Sequence, residues 1–540
     1  MLRDWIVWLC WLITASILYS QDGLQQKIKI VATANTYAAI LPQDPYSLAP
    51  VNRGWARLAT ALRAERASEG ATLFVDCGDA LLGEPMAYIQ NRMHPTAPNP
   101  IIEIMNNIGY AAMVPGASDF NFGFPWLKSA ERQARFPFVA ANIFDSMGKE
   151  AFKPYIKVNV NGVSVAFLGL FIPVTPKIDQ PGLFVRDALE SAIEWVPRLR
   201  IAERADLVIA IVHTGTVGPF VASDDKNTAR QLAEKVAGID GIIAAQGLQP
   251  LSTMHAGVPI ARPGAYGQSM ASITFSLGRR GQRWFVQSAS PANIPTSQGG
   301  ALDPLAVQLT EQARADEESY LNTHATQLGF DLDGRWSTVE PTALVQLLHD
   351  VQKKVTGAQL SATPSPGPQV YIPKGATSVR QFYSLAPDEN HIARIRITGA
   401  QLRTYLEHAA RYFNFSHLPE LINRSMPLAD YDMIGGCSYS IDISRPPGRR
   451  VSELKYAGED VRDSQVFTMA ISTYRLAGGG GYMDAIGFNG QPEMVSRDTL
   501  RNSLLEFVLS APTLSISAPT HWRTIPYLER ERVLAAYKLY

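Results

Sequence analysis

The sequence predicts a two-domain protein, an α/β domain followed by an α+β domain, and three observations carry that prediction. At 540 residues the chain exceeds what one core organises, since domains cluster near ~100 to 200 residues. From Lys27 to about Gly300, short apolar runs bounded by turn signals alternate with helical patterns, which is the order of an α/β layer. Asp303 to Thr326 is charged, Ala-rich and helical in period, so it suits a connecting helix belonging to neither core.

The elements follow in order. Ile6 to Tyr19 is a nearly unbroken apolar run, short for a bilayer span and followed by Ser20-Gln21-Asp22, which suits a signal peptide over residues 1–20. With only Arg3 against Asp4 ahead of the run, retention as an anchor stays open. Ile28 to Ala32, Thr72 to Asp76, Ser164 to Gly169 and Leu207 to Val212 read as buried strands, and Trp55 to Ala67 as an amphipathic helix. The first domain therefore covers 27–300, and the connecting helix and linker 301–336. A second domain over 337–512 has helical Leu344 to Val355, strand-like Ile392 to Ile397, helical Ala400 to Phe413 and strand-like Tyr439 to Ile443. Residues 513–540 read as a polar tail ending in a helical segment, Leu528 to Leu539.

Composition excludes some functions. Lys+Arg and Asp+Glu are equal at 49 each, so no basic field exists to hold a phosphate backbone, and nucleic acid is excluded as a partner. Export to a periplasm or the extracellular space follows from the signal segment; no membrane association is expected unless that segment stays uncleaved. Cys77 and Cys437 fall in different domains and read as isolated buried thiols. Gly-x-Ser-x-Gly, His-Glu-x-x-His, Cys-x-x-Cys and Walker-type loops are missing, and the remaining histidines show no ligand spacing.

Several segments share one pattern. Val114-Pro115-Gly116-Ala117-Ser118-Asp119-Phe120-Asn121-Phe122-Gly123 follows the frame of a Gly-Asn-His-Glu-Phe-Asp-Phe-Gly loop. Gly78-Asp79 ends a strand, His213-Thr214-Gly215 ends another, and Gly238 to Ile243 leads into Ala245-Gln246-Gly247-Leu248. Further on, Tyr431-Asp432-Met433-Ile434-Gly435-Gly436 and Tyr474-Arg475-Leu476-Ala477-Gly478-Gly479-Gly480-Gly481-Tyr482 punctuate the second domain. Over roughly residues 27 to 510 the chain resembles the secreted 5'-nucleotidase / UDP-sugar hydrolase family. The resemblance implies an N-terminal calcineurin-like αββα sandwich, a connecting helix and a C-terminal α+β domain of the 5'-nucleotidase type.

The family's two-metal chemistry needs a bridging carboxylate, several imidazole or carboxylate ligands, and an acid for the leaving group. Mapped onto this chain, the first loop's Asp and His fall at Asn35 and Tyr37, a weak neutral donor and a phenol. Asp79 keeps the bridging carboxylate and His213 keeps the fourth loop's imidazole. In the third loop the Asn ligand becomes Ala117, the proton-donating His becomes Ser118 and its orienting Asp becomes Asn121. Asp119 takes the place of the Glu and reads as a loop-capping aspartate. Gln246 and Leu248 stand where the fifth loop has two imidazoles. Of seven family ligands, Asp79 and His213 remain, so no cofactor is expected.

In the second domain the family grips a nucleoside between two aromatic rings. Tyr431 and Tyr474 fall at those positions and suggest a tyrosine clamp. The ribose-reading Asp becomes Gly480, the phosphate-reading Arg becomes Gln369, and Asn390 keeps a scaffold position. The leading expectation is a non-hydrolytic relative that binds a nucleoside-like molecule or a protein partner. One alternative is a nucleotide or sugar-nucleotide phosphohydrolase with a rebuilt site, one Mn or Zn ion on Asp79 and His213 helped by Asn35 and Gln246. Another is a structural component of an exported assembly.

Overall fold

The computed structural model describes residues 25–68, 70–172, 182–214, 228–245, 249–296, 300–387, 390–517, 519, 521–528 and 530–538. The apolar run Ile6 to Tyr19, Gly215, and the substituted ligand positions Gln246 and Leu248 lie outside the described residues. Two compact units form, one through Asp316 and one from Glu317 onward.

The first unit holds two mixed sheets. The five-stranded sheet runs Arg283–Pro295, Ser269–Arg280, Gln25–Thr33, Ala71–Asp76, Tyr110–Met113, with its last three strands parallel. The six-stranded sheet runs Leu251–His255, Val258–Arg262, Gly241–Ala244, Leu207–Thr214, Val163–Ile172, Tyr155–Val160, with parallel pairing through its middle. Side chains along a strand alternate between faces, and the sequence obeys this with apolar residues on both. Leu207, Ile209 and Ile211 join Ile28, Ile30 and Ala32 in the core between the sheets. Val208, Ala210 and Val212 turn outward onto the helix Ala188–Ile201. On the far side of the other sheet, Val31 and Phe74 meet the helices Trp55–Arg66 and Pro100–Ile108. The result is the expected αββα sandwich. Helix starts are set locally: Asn99 accepts from the Ile101 and Ile102 amides ahead of Pro100, and Gly109 closes the same helix with φ 81°.

The second unit is built on a five-stranded sheet in the order Asp432–Gly435, Leu360–Pro364, Val466–Ser472, His391–Thr398, Met494–Thr499. The helices Ala343–Thr356 and Gly399–Ala409 start with Thr342 and Thr398 side chains on the Val345 and Gln401 amides. Two boundaries differ from the expectation. The charged segment after Asp303 forms the helices Pro304–Leu309 and Glu311–Leu321, and then His324–Leu328 is a strand of the second unit, held between Gly375–Ser378 and Thr513–Leu514. Its buried Ala325, Thr326 and Leu328 explain why a helical reading through Thr326 fails there. The tail is likewise structural. Trp522–Ile525 pairs in parallel with Ser438–Asp442, and Trp522 stacks on Tyr439 at 5.8 Å and 6°. Cys77 and Cys437 are buried free thiols.

Candidate functional site

Every first-unit position singled out by sequence and described in the structure sits just beyond, or at, the carboxyl end of a parallel strand, where open α/β sheets carry ligands. Backbone bonds lace these loops together. The Cys77 amide donates to Thr33 O at 2.8 Å, Asn35 to Gly78 O at 2.8 Å, Tyr37 to Asp79 O at 2.8 Å and Val114 to Asp76 O at 2.9 Å. Asn35 Nδ2 also reaches Ala245 O at 3.4 Å, so the fifth loop joins the group. Asn35, Tyr37 and Asp79 all have left-handed backbones, φ 51°, 51° and 57°, conformations that cost non-glycine residues about 1 to 3 kcal/mol each. Gly78 and Gly116 allow the second and third loops to touch: a Cβ on Gly116 would lie 2.2 Å from the Asp79 amide nitrogen.

At the centre stand Asp79 and His213, the two positions where the sequence keeps a carboxylate and an imidazole. The Ser118 amide and hydroxyl both donate to Asp79 Oδ1, at 2.8 and 2.7 Å. His213 Nε2 lies 3.7 Å from Asp79 Oδ2. Its Nδ1 is 2.6 Å from Cys77 O, and a carbonyl only accepts, so Nδ1 carries the proton and Nε2 the lone pair. That lone pair accepts the Ala117 amide at 3.3 Å, and Phe171 lies parallel to the imidazole at 5.9 Å. Asn121 Nδ2 donates to Tyr88 Oη at 2.9 Å, and the Tyr37 ring packs over Gly83 and beside Tyr266, 5.1 Å between centroids.

Two buried carboxyls brace this centre. Asp119 accepts from the amides of Gly116, Asp79 and Leu81 at 2.8, 2.9 and 2.9 Å, which makes it the loop clamp expected from its sequence position. Burial, then the neighbouring Asp79 charge, pushes its carboxyl well above the usual range, against the pull of its amide donors. Asp76, which sequence reasoning did not single out, accepts from Thr33 Oγ1 at 2.6 Å and the Gly78 amide at 2.7 Å. Burial drives it up to about 7. Among the described residues no three His, Cys, Asp or Glu side chains are placed to hold a metal ion.

In the second unit the clamp expectation needs correction at Tyr431. Its ring is fully buried, face to face with Tyr412 at 4.6 Å and 11° and edge-on to Phe413 at 5.4 Å, so it is a core residue. Tyr474 is half-buried and lies on Gly479, where a Cβ would come within 2.4 Å of the ring. Gln369 folds back on its own turn, donating to Pro366 O at 3.3 Å, and Asn390 uses its carbonyl to receive the Leu500 amide at 2.8 Å. Between the two tyrosine segments sits a group that single-sequence reading missed, because Arg475 lies more than 40 positions from the two carboxylates it joins. The buried Arg475 guanidinium forks onto Asp432 with two bonds of 2.9 Å and donates to Asp430 Oδ1 at 2.8 Å. Tyr405 Oη donates to Asp432 at 2.5 Å, and His408 Nε2 donates to Gly480 O at 2.8 Å.

A sandwich of two sheets whose strand ends gather carboxylate, imidazole and amide from facing loops, continued by an α+β unit, defines a metallophosphoesterase-type, two-domain hydrolase fold. The model of the 5'-nucleotidase C-terminal domain matches residues 321–486. The chain is 26% identical to the trifunctional nucleotide phosphoesterase YfkN of Bacillus subtilis over 93% of its own length, and spans 39% of that longer relative. To the 2',3'-cyclic-nucleotide 2'-phosphodiesterase/3'-nucleotidase of Yersinia enterocolitica it is 24% identical, covering 84% of this chain and 81% of the relative. Among solved structures, a 5'-nucleotidase-type protein of Staphylococcus aureus in complex with alpha-ketoglutarate superposes with TM-score 0.79 at 20% identity, over 92% of this chain and 100% of the other. The 5'-nucleotidase precursor of Thermus thermophilus gives 0.65 at 19%, over 93% and 100%; both likenesses speak for the fold. Residues 321–486 are thus a 5'-nucleotidase C-terminal domain by their match, and along most of its length the chain is similar to nucleotide phosphoesterases.

Proposed function

We propose that this is an exported, non-hydrolytic member of the family that binds a nucleoside-like ligand through its second unit. One observation carries the loss of hydrolysis: the protein's own donors occupy one oxygen of Asp79 and the lone pair of His213. Ser118 places two donors on Asp79 Oδ1 and the Ala117 amide takes the His213 lone pair. The donor set does not fit a pair of divalent ions. Asn35 offers a neutral oxygen, Asp79 a single carboxylate and His213 a single imidazole, while affinity needs several anionic ligands on each ion. Ser118 and Asn121 replace an acid pair with two groups that cannot protonate a leaving oxygen near neutral pH.

Ligand binding falls to Tyr474, whose half-buried ring lies on the glycine loop; a base stacked there would gain ~1 to 3 kcal/mol. A second reading, a single-ion phosphohydrolase on Asp79 and His213, draws on the left-handed Asn35 and Asp79 backbone, a strained frame kept at the old metal loops. Elemental analysis of the purified mature protein, with phosphate release from a panel of nucleotides and cyclic nucleotides under added Mn or Zn, decides between them. The expected result is substoichiometric metal and no turnover above the Asp79→Ala variant. Two ions per chain, or turnover abolished by Asp79→Ala, would sink the non-hydrolytic reading.

A further inference from the structure

The dipeptide Asn-Gly occurs twice in this chain, at Asn161-Gly162 and at Asn489-Gly490, and the fold treats the two differently. Asn161 and Gly162 form the two-residue turn of the hairpin that joins Tyr155–Val160 to Val163–Ile172, both with left-handed backbones, φ 53° and 79°. That turn is clamped. The Gly162 amide donates to Asn159 Oδ1 at 3.2 Å, and Gly162 O accepts the Trp284 indole N–H at 3.0 Å. Asn489 and Gly490 are exposed, in the irregular stretch between the helix Tyr482–Ala485 and the edge strand Met494–Thr499. The fixed points on either side are the Phe488 amide on Met483 O at 2.9 Å and the Glu493 amide on Arg394 O at 2.8 Å. Between them, no residue from 489 to 492 is buried, and none has a hydrogen bond to another described residue.

We propose that Asn489 is a site of spontaneous covalent modification, deamidation to aspartate and isoaspartate, and that Asn161 is protected from the same chemistry by its turn. The backbone nitrogen of Gly490 loses its proton to solvent base and attacks Asn489 Cγ. The new C–N bond closes a cyclic imide, the Cγ–Nδ2 bond breaks, and the leaving nitrogen takes a proton from solvent to depart as ammonia. Water then opens the ring at either carbonyl, which leaves aspartate, or isoaspartate with its main chain running through Cβ. In sum, water is consumed and ammonia released, with no oxidant and no cofactor. Position 489 meets each requirement of the attack. The residue that follows has no side chain to crowd the nitrogen, its amide is not held by a protein acceptor, and the untied stretch lets Asn489 rotate until that nitrogen faces Cγ. At 161 the same rotation would break the bond from the Gly162 amide and the pairing of Val160 with Val163. The longer main chain of isoaspartate is absorbed at 489, since an untied surface stretch tolerates added length. The inference is independent of whether the chain hydrolyses or binds a nucleotide.

The experiment ages the full mature chain in mildly alkaline buffer, natively folded and unfolded in urea, and follows both sites by peptide mapping with mass spectrometry and by methyl uptake from an isoaspartyl methyltransferase. In the folded chain Asn489 should convert at least about tenfold faster than Asn161, the effect of the two hydrogen bonds that hold the second turn. In urea the two rates should approach one another, because the difference belongs to the fold and not to the dipeptide. Gly490→Ala should slow conversion at 489 without changing the urea midpoint, and aged wild type should unfold at the midpoint of fresh protein. Equal rates at the two sites in the folded chain, a native ratio that persists in urea, or an Asn489 that stays intact when folded and converts only when unfolded would each overturn the assignment.

Discussion

Asp119 shows what a residue-level motif does and does not convey. Its sequence position reads as a loop cap, but the sequence does not say which amides it holds. In the fold it accepts three amides from two loops that bracket Asp79. Asp119→Ala would leave those buried donors unpaired at about 1 to 3 kcal/mol each, so stability should fall by ~3 kcal/mol or more. Asp119→Asn, which keeps one acceptor, should fall by less. Urea unfolding with the two variants giving equal losses would argue against the clamp. Asp79 and His213 were legible because a glycine or a strand end stands beside each in the sequence. Asp76 was not, since a strand-final Asp is common and its burial depends on Tyr110 and Thr33 packing over it. Nor was the Asp430, Asp432 and Arg475 group, which exists through contacts between distant segments.

Element by element, legibility followed length and burial. Leu207 to Val212 reads as a strand because both of its faces enter apolar cores, an unbroken run that a helix with a polar face would not show. Trp522–Ile525 did not read as one: four residues with polar flanks offer no period, and the pairing partner, Ser438–Asp442, is about 80 positions away. Trp522 is 6% exposed and packs in the core of the second unit, so Trp522→Ala should cost about 3 to 5 kcal/mol. Tyr527, 70% exposed a few residues on, should tolerate alanine within about 0.5 kcal/mol. Thermal unfolding of both variants checks whether these residues are a disposable tail, in which case the two substitutions would behave alike. Tyr431 fits the same lesson, since the spacing that placed it at a stacking position could not reveal Tyr412 already lying against its face.

At the scale of the whole molecule the two-unit division was visible in the sequence, and the boundary was misplaced because the charged helix hid a short strand behind it. Among the deeply buried titrating groups, Asp76 of the first unit and His349 of the second respond to acid in opposite directions. In the first, Asp76 is raised from 3.8 to about 7, so between those values the native chain holds a proton that the unfolded chain has lost. Its contribution is fully present below pH 3.8 and disappears as pH rises through 7; Asp119, raised for the same reason, adds to it. In the second, His349 is lowered from 6.5 to about 3 by burial, beside Ser361 Oγ at 2.9 Å. There the unfolded chain binds the extra proton, so stability is greatest above pH 6.5 and declines as pH falls toward 3. At about 1.36 kcal/mol per unit each effect is on the order of 4 kcal/mol across its window. Urea unfolding followed from about pH 3.5 to 7 should therefore show His349→Gln removing part of the loss of stability on acidification, and Asp76→Asn removing part of the loss on approaching neutrality. Asp119 still titrates in the second variant, so its slope flattens without vanishing. Parallel curves for wild type and both variants would mean that neither group differs in protonation between the folded and unfolded chain, and the burial assigned to Asp76 and His349 would be wrong.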